Sequence, residues 1–471
     1  MSSRISPGWR HQPTDHLLRP RRRLLGPQLL ALAWLMVACG SDGVEAAAAE
    51  QTLALGLAEA VSMAREQNAE LELLDAQRAE AEGAQRSSLQ AFLPTLSADA
   101  NYLRADSSIL EAVPVPELAL PPRIVVRDLG PLDAYTTGVQ VLQPVINVDA
   151  WRTRDQAIHL VDARQRALLR GQHEVTAAVT SAYFGIKAIE ARSDALDAAI
   201  VAAERAVLVA EQSYAEGLVA SLDMYRARAD AAGRRAQRAQ AEGDLVQAEA
   251  GLRQLLGLDQ PVRLVLIESM PEPARPPDAA AATDAAERDD IGALEKTVEA
   301  AEAGVRRARA AYLPRLNLFG RYQWVDGDEP FGGNFDGWLV AVNLRWTPFA
   351  GMAQAGELAQ AEAELRQAQA RLRGLRHQAR QELDAAWANW RAARIAWQES
   401  ETAVEASALA LRRAQGRYRE GVGSMTDLLA AQAADLQSQV ERSNSQYLAL
   451  LAEQQYRLAA GAEAAGVGRE R

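Results

Sequence analysis

Apolar and polar residues alternate one by one in four short stretches of this chain, and recur at helical spacing over most of the rest. In the first stretch Leu96, Ala98, Ala100 and Tyr102 fall on one side, with Thr95, Ser97, Asp99 and Asn101 on the other. Tyr135, Thr137, Val139 and Val141 share one side of the second. In the third, Leu316, Leu318, Gly320, Tyr322 and Trp324 oppose Arg315, Asn317, Phe319, Arg321 and Gln323. In the fourth, Trp338, Val340, Val342, Leu344 and Trp346 oppose Leu339, Ala341, Asn343, Arg345 and Thr347. A period of two predicts β-strands with one apolar face. Pro94 and Pro314, each preceded by Leu, mark where a helix stops and the first and third strands start. Proline offers no amide to a helical ladder and restricts the residue before it. Pro144 is expected to close the second strand. Residues 103–134, with five prolines, read as a long loop, and 325–337 as a glycine-rich one.

Helical periodicity predicts helices over 51–90, 149–214, 222–256, 286–311, 353–418 and 425–460. The stretch 149–214 holds no proline. At about 1.5 Å per residue it would be ~100 Å long, far beyond an ordinary globular helix. Ala202, Ala203, Ala206 and Ala210 sit at core-like spacing and suit close helix packing. Residues 258–285, with five prolines, read as a linker.

The plan occurs twice. Pro144 and Pro348, Tyr183 and Trp387, Tyr214-Ala-Glu-Gly217 and Tyr418-Arg-Glu-Gly421, and Asp223 and Asp427 are all 204 positions apart. Pro94 and Pro314 are 220 apart, so the first strand-to-strand connection is 16 residues longer than the second. The expected organisation is a signal peptide over 1–38, a first repeat over 39–260, a linker over 261–285, a second repeat over 286–461 and a tail over 462–471. Two copies are too few for an open solenoid and suit a pseudo-symmetric protomer in a closed ring.

Each alternating stretch has the length of a tilted membrane-spanning strand, apolar toward lipid and polar toward a wet lumen. Tyr102, Tyr135, Tyr322, Trp324, Trp338 and Trp346 lie at strand ends, where interfacial aromatic girdles sit. Four strands cannot close a barrel, and an open edge is not tolerated in lipid. Other subunits must therefore complete it.

Composition narrows the reading. The 471 residues carry a net charge of −11, and the first 38 hold six Arg and one Asp, so the remainder is near −16. That argues against a nucleic-acid partner, which would need a cationic surface. Arg19–Arg23 and Leu29–Ala38 have the form of a secretory leader. It ends in Leu35-Met-Val-Ala-Cys39, which resembles a bacterial lipobox, so Cys39 is the expected lipidated first residue. Cleavage within Val44–Glu50 is the alternative. The lone cysteine precludes an intrachain disulfide. Among the five histidines, His159 and His173 are too far apart on one helix to share a metal. No nucleophile motif or phosphate loop occurs, so neither an enzyme, a cofactor nor a metal is expected.

The paired Leu-Pro strand starts, the two halves and the helix-tip motifs Tyr214–Asp223 and Tyr418–Asp427 together resemble the TolC-type outer-membrane efflux protein family, over about 51–461. The resemblance implies a mainly α fold with a transmembrane β-barrel: a homotrimer with a 12-stranded outer-membrane barrel, continued by a 12-helix barrel through the periplasm. It implies a passive exit duct anchored in outer-membrane lipid. The partners would be a periplasmic adaptor (membrane fusion) protein and an inner-membrane pump of RND or ABC type. The turns Gly217, Leu218, Val219 and Gly421, Val422, Gly423, Ser424 would meet the adaptor. Asp427 would stand in a gating ring, with a helix N-terminal role as the alternative. Tyr418 would hold the closed state by hydrogen bonding. Ala430 replaces a second acid that the family's prototype carries. The competing class is a periplasmic coiled-coil adaptor or structural protein, which would lack the strand pairs.

Overall fold

The computed structural model describes residues 52–113, 123–217, 219–260, 262–277, 288–326 and 335–461. The expected leader, Cys39, Leu218 and the tail 462–471 lie outside the described residues.

Helices dominate. Two hairpins of long helices are formed by α3 (Val148–Ala215) with α4 (Ser221–Leu255), and by α6 (Ala353–Arg419) with α7 (Met425–Ala459). The first helix of each hairpin has 68 or 67 residues, about 100 Å. Their small residues do what the spacing predicts: Ala203, Ala206 and Ala210 are buried, and Ala202 is half-buried. Shorter helices α1 (Leu57–Gln67), α2 (Ala69–Ser87) and α5 (Asp289–Ala310) pack against α3, and α5 also against α6. Among the described residues no helix is long and apolar enough to cross a membrane.

The single helix expected over 51–90 is broken twice. β1 (Thr52–Leu55) is a strand, paired in parallel with β4 (Arg263–Leu266) inside the expected linker. Four residues are too few to show a period. The second break is Asn68, whose side-chain oxygen accepts from the Glu70 and Leu71 amides while its Nδ2 donates to the Leu255 carbonyl. An Asn that caps one helix offers its backbone an alternative to continuing the previous one. Tyr183 anchors the small sheet: its hydroxyl donates to the Leu55 carbonyl at 3.1 Å and accepts from the Glu268 amide at 3.0 Å. Around it Val61, Val179, Ile186, Leu252 and Leu264 form the largest core cluster. A second cluster joins Ile291, Leu383, Trp390 and Tyr456.

The remaining strands form one antiparallel sheet in the order β2 (Thr95–Val113), β3 (Arg123–Ile146), β5 (Arg315–Asp326), β6 (Phe335–Arg345). Two expectations are corrected here. The loop expected over 103–134 is largely strand, since β2 and β3 stay paired from Leu103↔Ala134 out to Val113↔Arg123. Its prolines misled the reading: Pro131 sits where the register shifts, between Asp106↔Pro131 and Ser108↔Asp128, a place where a ladder tolerates a residue without an amide. Pro144 likewise does not close β3, which runs on to Ile146 with a register shift between the two. β5 pairs with β3 only as far as Tyr135↔Asp326, so the β2–β3 hairpin continues alone by roughly 35 Å at about 3.4 Å per residue.

Candidate functional site

The four-stranded part of the sheet separates its two faces by chemistry. On the face read as apolar, Leu96, Tyr102, Val139, Val141, Leu318, Val340 and Leu344 are exposed, and Trp338 and Val342 are 77% and 69% accessible. Tyr102 meets Tyr135 at a tilt and Tyr322 meets Trp324 edge to face, both with ring centroids 4.8 Å apart, at the far end of the shared ladder. Trp346 lies at the other end, where its indole donates to the Tyr312 carbonyl. Burying so continuous an apolar surface is strongly favourable, at about 25 cal/mol per Å², and the described chain leaves it open.

The opposite face is polar and internally organised. Arg321 of β5 reaches across β3 to Asp99 of β2 at 2.8 Å. Gly138 of β3 makes that crossing possible, because a Cβ there would stand 3.2 Å from the Arg321 guanidinium nitrogens. Where this face meets the helices, a concavity of about 1050 Å³ opens between the sheet, the end of α2 and the start of α3. Arg315, Asn317, Phe319, Asn343 and Arg345 line it from the strands, and Asn147 from the α3 N-cap. Arg315 is neutralised by Asp149 at 2.6 Å.

The far ends of the hairpins carry the predicted tip residues. Pro94 and Pro314 are at the sheet end, immediately before Thr95 and Arg315. Gly217 and Gly421 both have φ of +73°, the left-handed region in which a side chain would be strained. In the second turn the amides of Val422 and Gly423 both donate to the Arg417 carbonyl. Val422 is exposed, and Val219 and Gly423 are half-buried. Ser424 and Asp427 form a reciprocal cap: the Asp427 amide donates to Ser424 Oγ at 3.1 Å, and the Ser424 amide to Asp427 Oδ2 at 3.4 Å. The Asp427 carboxylate is therefore engaged at the α7 N-terminus through Oδ2.

Tyr418 packs into a small cluster with Ala210, Ala227, Met425 and Leu428 that joins the two hairpins. Its buried hydroxyl makes no hydrogen bond with any described residue. Burial and the nearby Asp223 carboxylate both push its pKa above the ordinary tyrosine value. Sequence reading paired Asp223 with Asp427 but missed its neighbours. Arg226 lies 3.7 Å from Asp223 and donates to Thr426 Oγ1 at 3.0 Å, bridging the two tips. A residue one turn into a helix carries no periodic signal for a contact to another hairpin.

Comparison with known proteins agrees with this geometry. The family model described as "Outer membrane efflux protein" matches residues 60–258 and 283–462. Outer membrane protein TolC of Vibrio cholerae is 23% identical over 415 residues, 86% of this chain and 90% of the relative. Protein CyaE of Bordetella pertussis is 30% identical over 237 residues, so the chain spans about half the length of that relative. Among solved structures, the outer membrane protein VceC of Vibrio cholerae superposes with a TM-score of 0.72 at 22% identity, covering 86% of this chain and 96% of that one. The CmeC outer membrane channel of Campylobacter jejuni superposes at 0.74 and 18%, covering 87% of each. The fold is that of these outer membrane channels.

Proposed function

The chain belongs to the outer membrane efflux protein family, and from that premise we propose that it is the outer-membrane exit duct of a tripartite efflux or export system. The observation that carries the reading is the sheet: one face apolar and exposed, the other polar, with β2 and β6 as open edges. In hydrocarbon an open edge leaves unsatisfied amides and carbonyls at several kcal/mol each. Three copies complete twelve strands, and the helical hairpins continue the ring into the periplasm. Cys39, once lipidated, adds an anchor in the same membrane.

The duct performs no chemistry. It opens at its periplasmic tips when a periplasmic adaptor seats on Gly217, Leu218, Val219 and Gly421–Ser424, driven by an inner-membrane pump of RND or ABC type. Tyr418 and Asp427 lie at the closing contact. Three measurements test the proposal: outer-membrane fractionation, light scattering of the detergent-solubilised protein, and planar-bilayer conductance. A trimer that conducts is expected. A mature chain that is monomeric and dissolved without detergent would overturn it. Asp427→Ala and Tyr418→Ala, which removes the ring packed between the hairpins, are each expected to raise conductance. If both match the unmodified channel, the gate lies elsewhere. Mass spectrometry of the mature N-terminus decides the anchor.

A further inference from the structure

The concavity where the sheet meets the helices has an unbalanced chemistry. Its lining carries two guanidinium groups, Arg315 and Arg345, and no carboxylate. The two stand directly opposite each other in the β5–β6 ladder, an arrangement that like charges make unfavourable. Asp149 relieves only Arg315. The Arg345 side chain is exposed and forms no ion pair or hydrogen bond with any described residue. A second group in the lining, on the helix side, also lacks a partner: Asn147 Oδ1 is buried with nothing to accept from. Asn147 is the N-cap of α3 but makes no capping bond with its own helix. The N-terminal end of α3, with its partial positive charge, points the same way. Between these polar groups lie Leu142, Leu160 and Phe319.

We infer that this concavity is a cargo station for organic anions with an apolar or aromatic body. Arg345 binds the anionic group, and Phe319 with Leu142 and Leu160 receives the hydrocarbon part. The volume, about 1050 Å³, is at the upper end of the ~300–1,000 Å³ typical of small-molecule sites, so a drug-sized molecule would sit there with water and leave readily, as transit requires. The inference rests on the duct reading and names its substrate class.

The test uses the assembled protein in lipid nanodiscs, with 2-naphthalenesulfonate as probe and empty nanodiscs as the blank, read by titration calorimetry. Saturable binding is expected. Arg345→Gln should weaken it about tenfold or more, the scale of one lost charge-assisted contact, and Arg345→Lys should retain most of it. A naphthyl trimethylammonium cation should not compete. Heat-resistant trimer on a gel confirms that each variant is assembled. Absence of saturable binding, or equal binding by Arg345→Gln, overturns the inference. Bilayer conductance separates the two failures: a channel that conducts without Arg345-dependent binding leaves the duct standing and removes the anion station, whereas a protein that does not conduct removes the duct itself.

Discussion

The two ends of the molecule expose apolar side chains in different ways. At the sheet end exposed apolar residues recur on one face of all four strands, and away from Asp326 and Asp336 at the end of the shared ladder the charged groups lie on the opposite face, where Arg321 and Asp99 pair across Gly138. At the helix tips the exposed apolar residues Leu222, Tyr225 and Val422 are interleaved with Asp223, Arg226 and Glu420. A continuous apolar face has one stable cover, a nonaqueous one. A broken face can be wet or covered at similar cost. The first suits a permanent environment, the second a contact that is made and released.

The sharpest way to break the comparison is to put a charge into the continuous face. Val342→Arg should cost about 2–4 kcal/mol at mid-membrane depth and lower the yield of heat-resistant oligomer. If that yield is unchanged, the face does not meet lipid. Next in size, Gly138→Ala forces a Cβ against the Tyr322 carbonyl at 3.1 Å and the Arg321 guanidinium at 3.2 Å. Overpacking of this kind costs about 1–3 kcal/mol, to be seen as a lower urea midpoint of the sheet with the tips unaffected. At the tips the effects shrink. Ser424→Ala removes the α7 cap and should cost ~1 kcal/mol, detected as faster amide exchange over residues 424–428. Ala220→Ser is the converse, since the α4 N-cap makes no side-chain bond, and should slow exchange there. Arg226→Ala, an exposed bridge between tips, should change stability by no more than about 0.5 kcal/mol. Its readout is the conductance of the closed channel. A large stability loss from it would mean the tips are a core and not a contact.

Legibility followed length. The long helices were readable to within one or two residues, because a period sustained over sixty positions dominates local noise, and Gly217, Gly257, Gly421 and Gly461 punctuate them with positive φ. The strands of the four-stranded sheet were readable because one face is predominantly apolar. What failed was short or carried by single side chains. Asn68 ends one helix and starts another through its own amide oxygen, and nothing in periodicity distinguishes such an Asn from a solvated one. Pro131 and Pro144 were read as strand breakers, yet each sits at a register shift where its missing amide is not needed. At the tips the residue types were visible but the pairings were not. Asp427 is tied into the cap of its own helix, and Asp223 is the carboxylate that lies near Tyr418. Only the packing of one hairpin on the other decides that.

In the proposed duct, the unequal reach of the two hairpins has a consequence at the mouth. Among the described residues only β2 and β3 extend past the shared ladder, so the proposed ring of three copies would raise three tall posts alternating with three low sills, a crenellated rim in place of an even collar. Anything that grips the mouth from the medium would then meet sites a third of a revolution apart, and shortening β2 and β3 would level the parapet without touching the wall beneath.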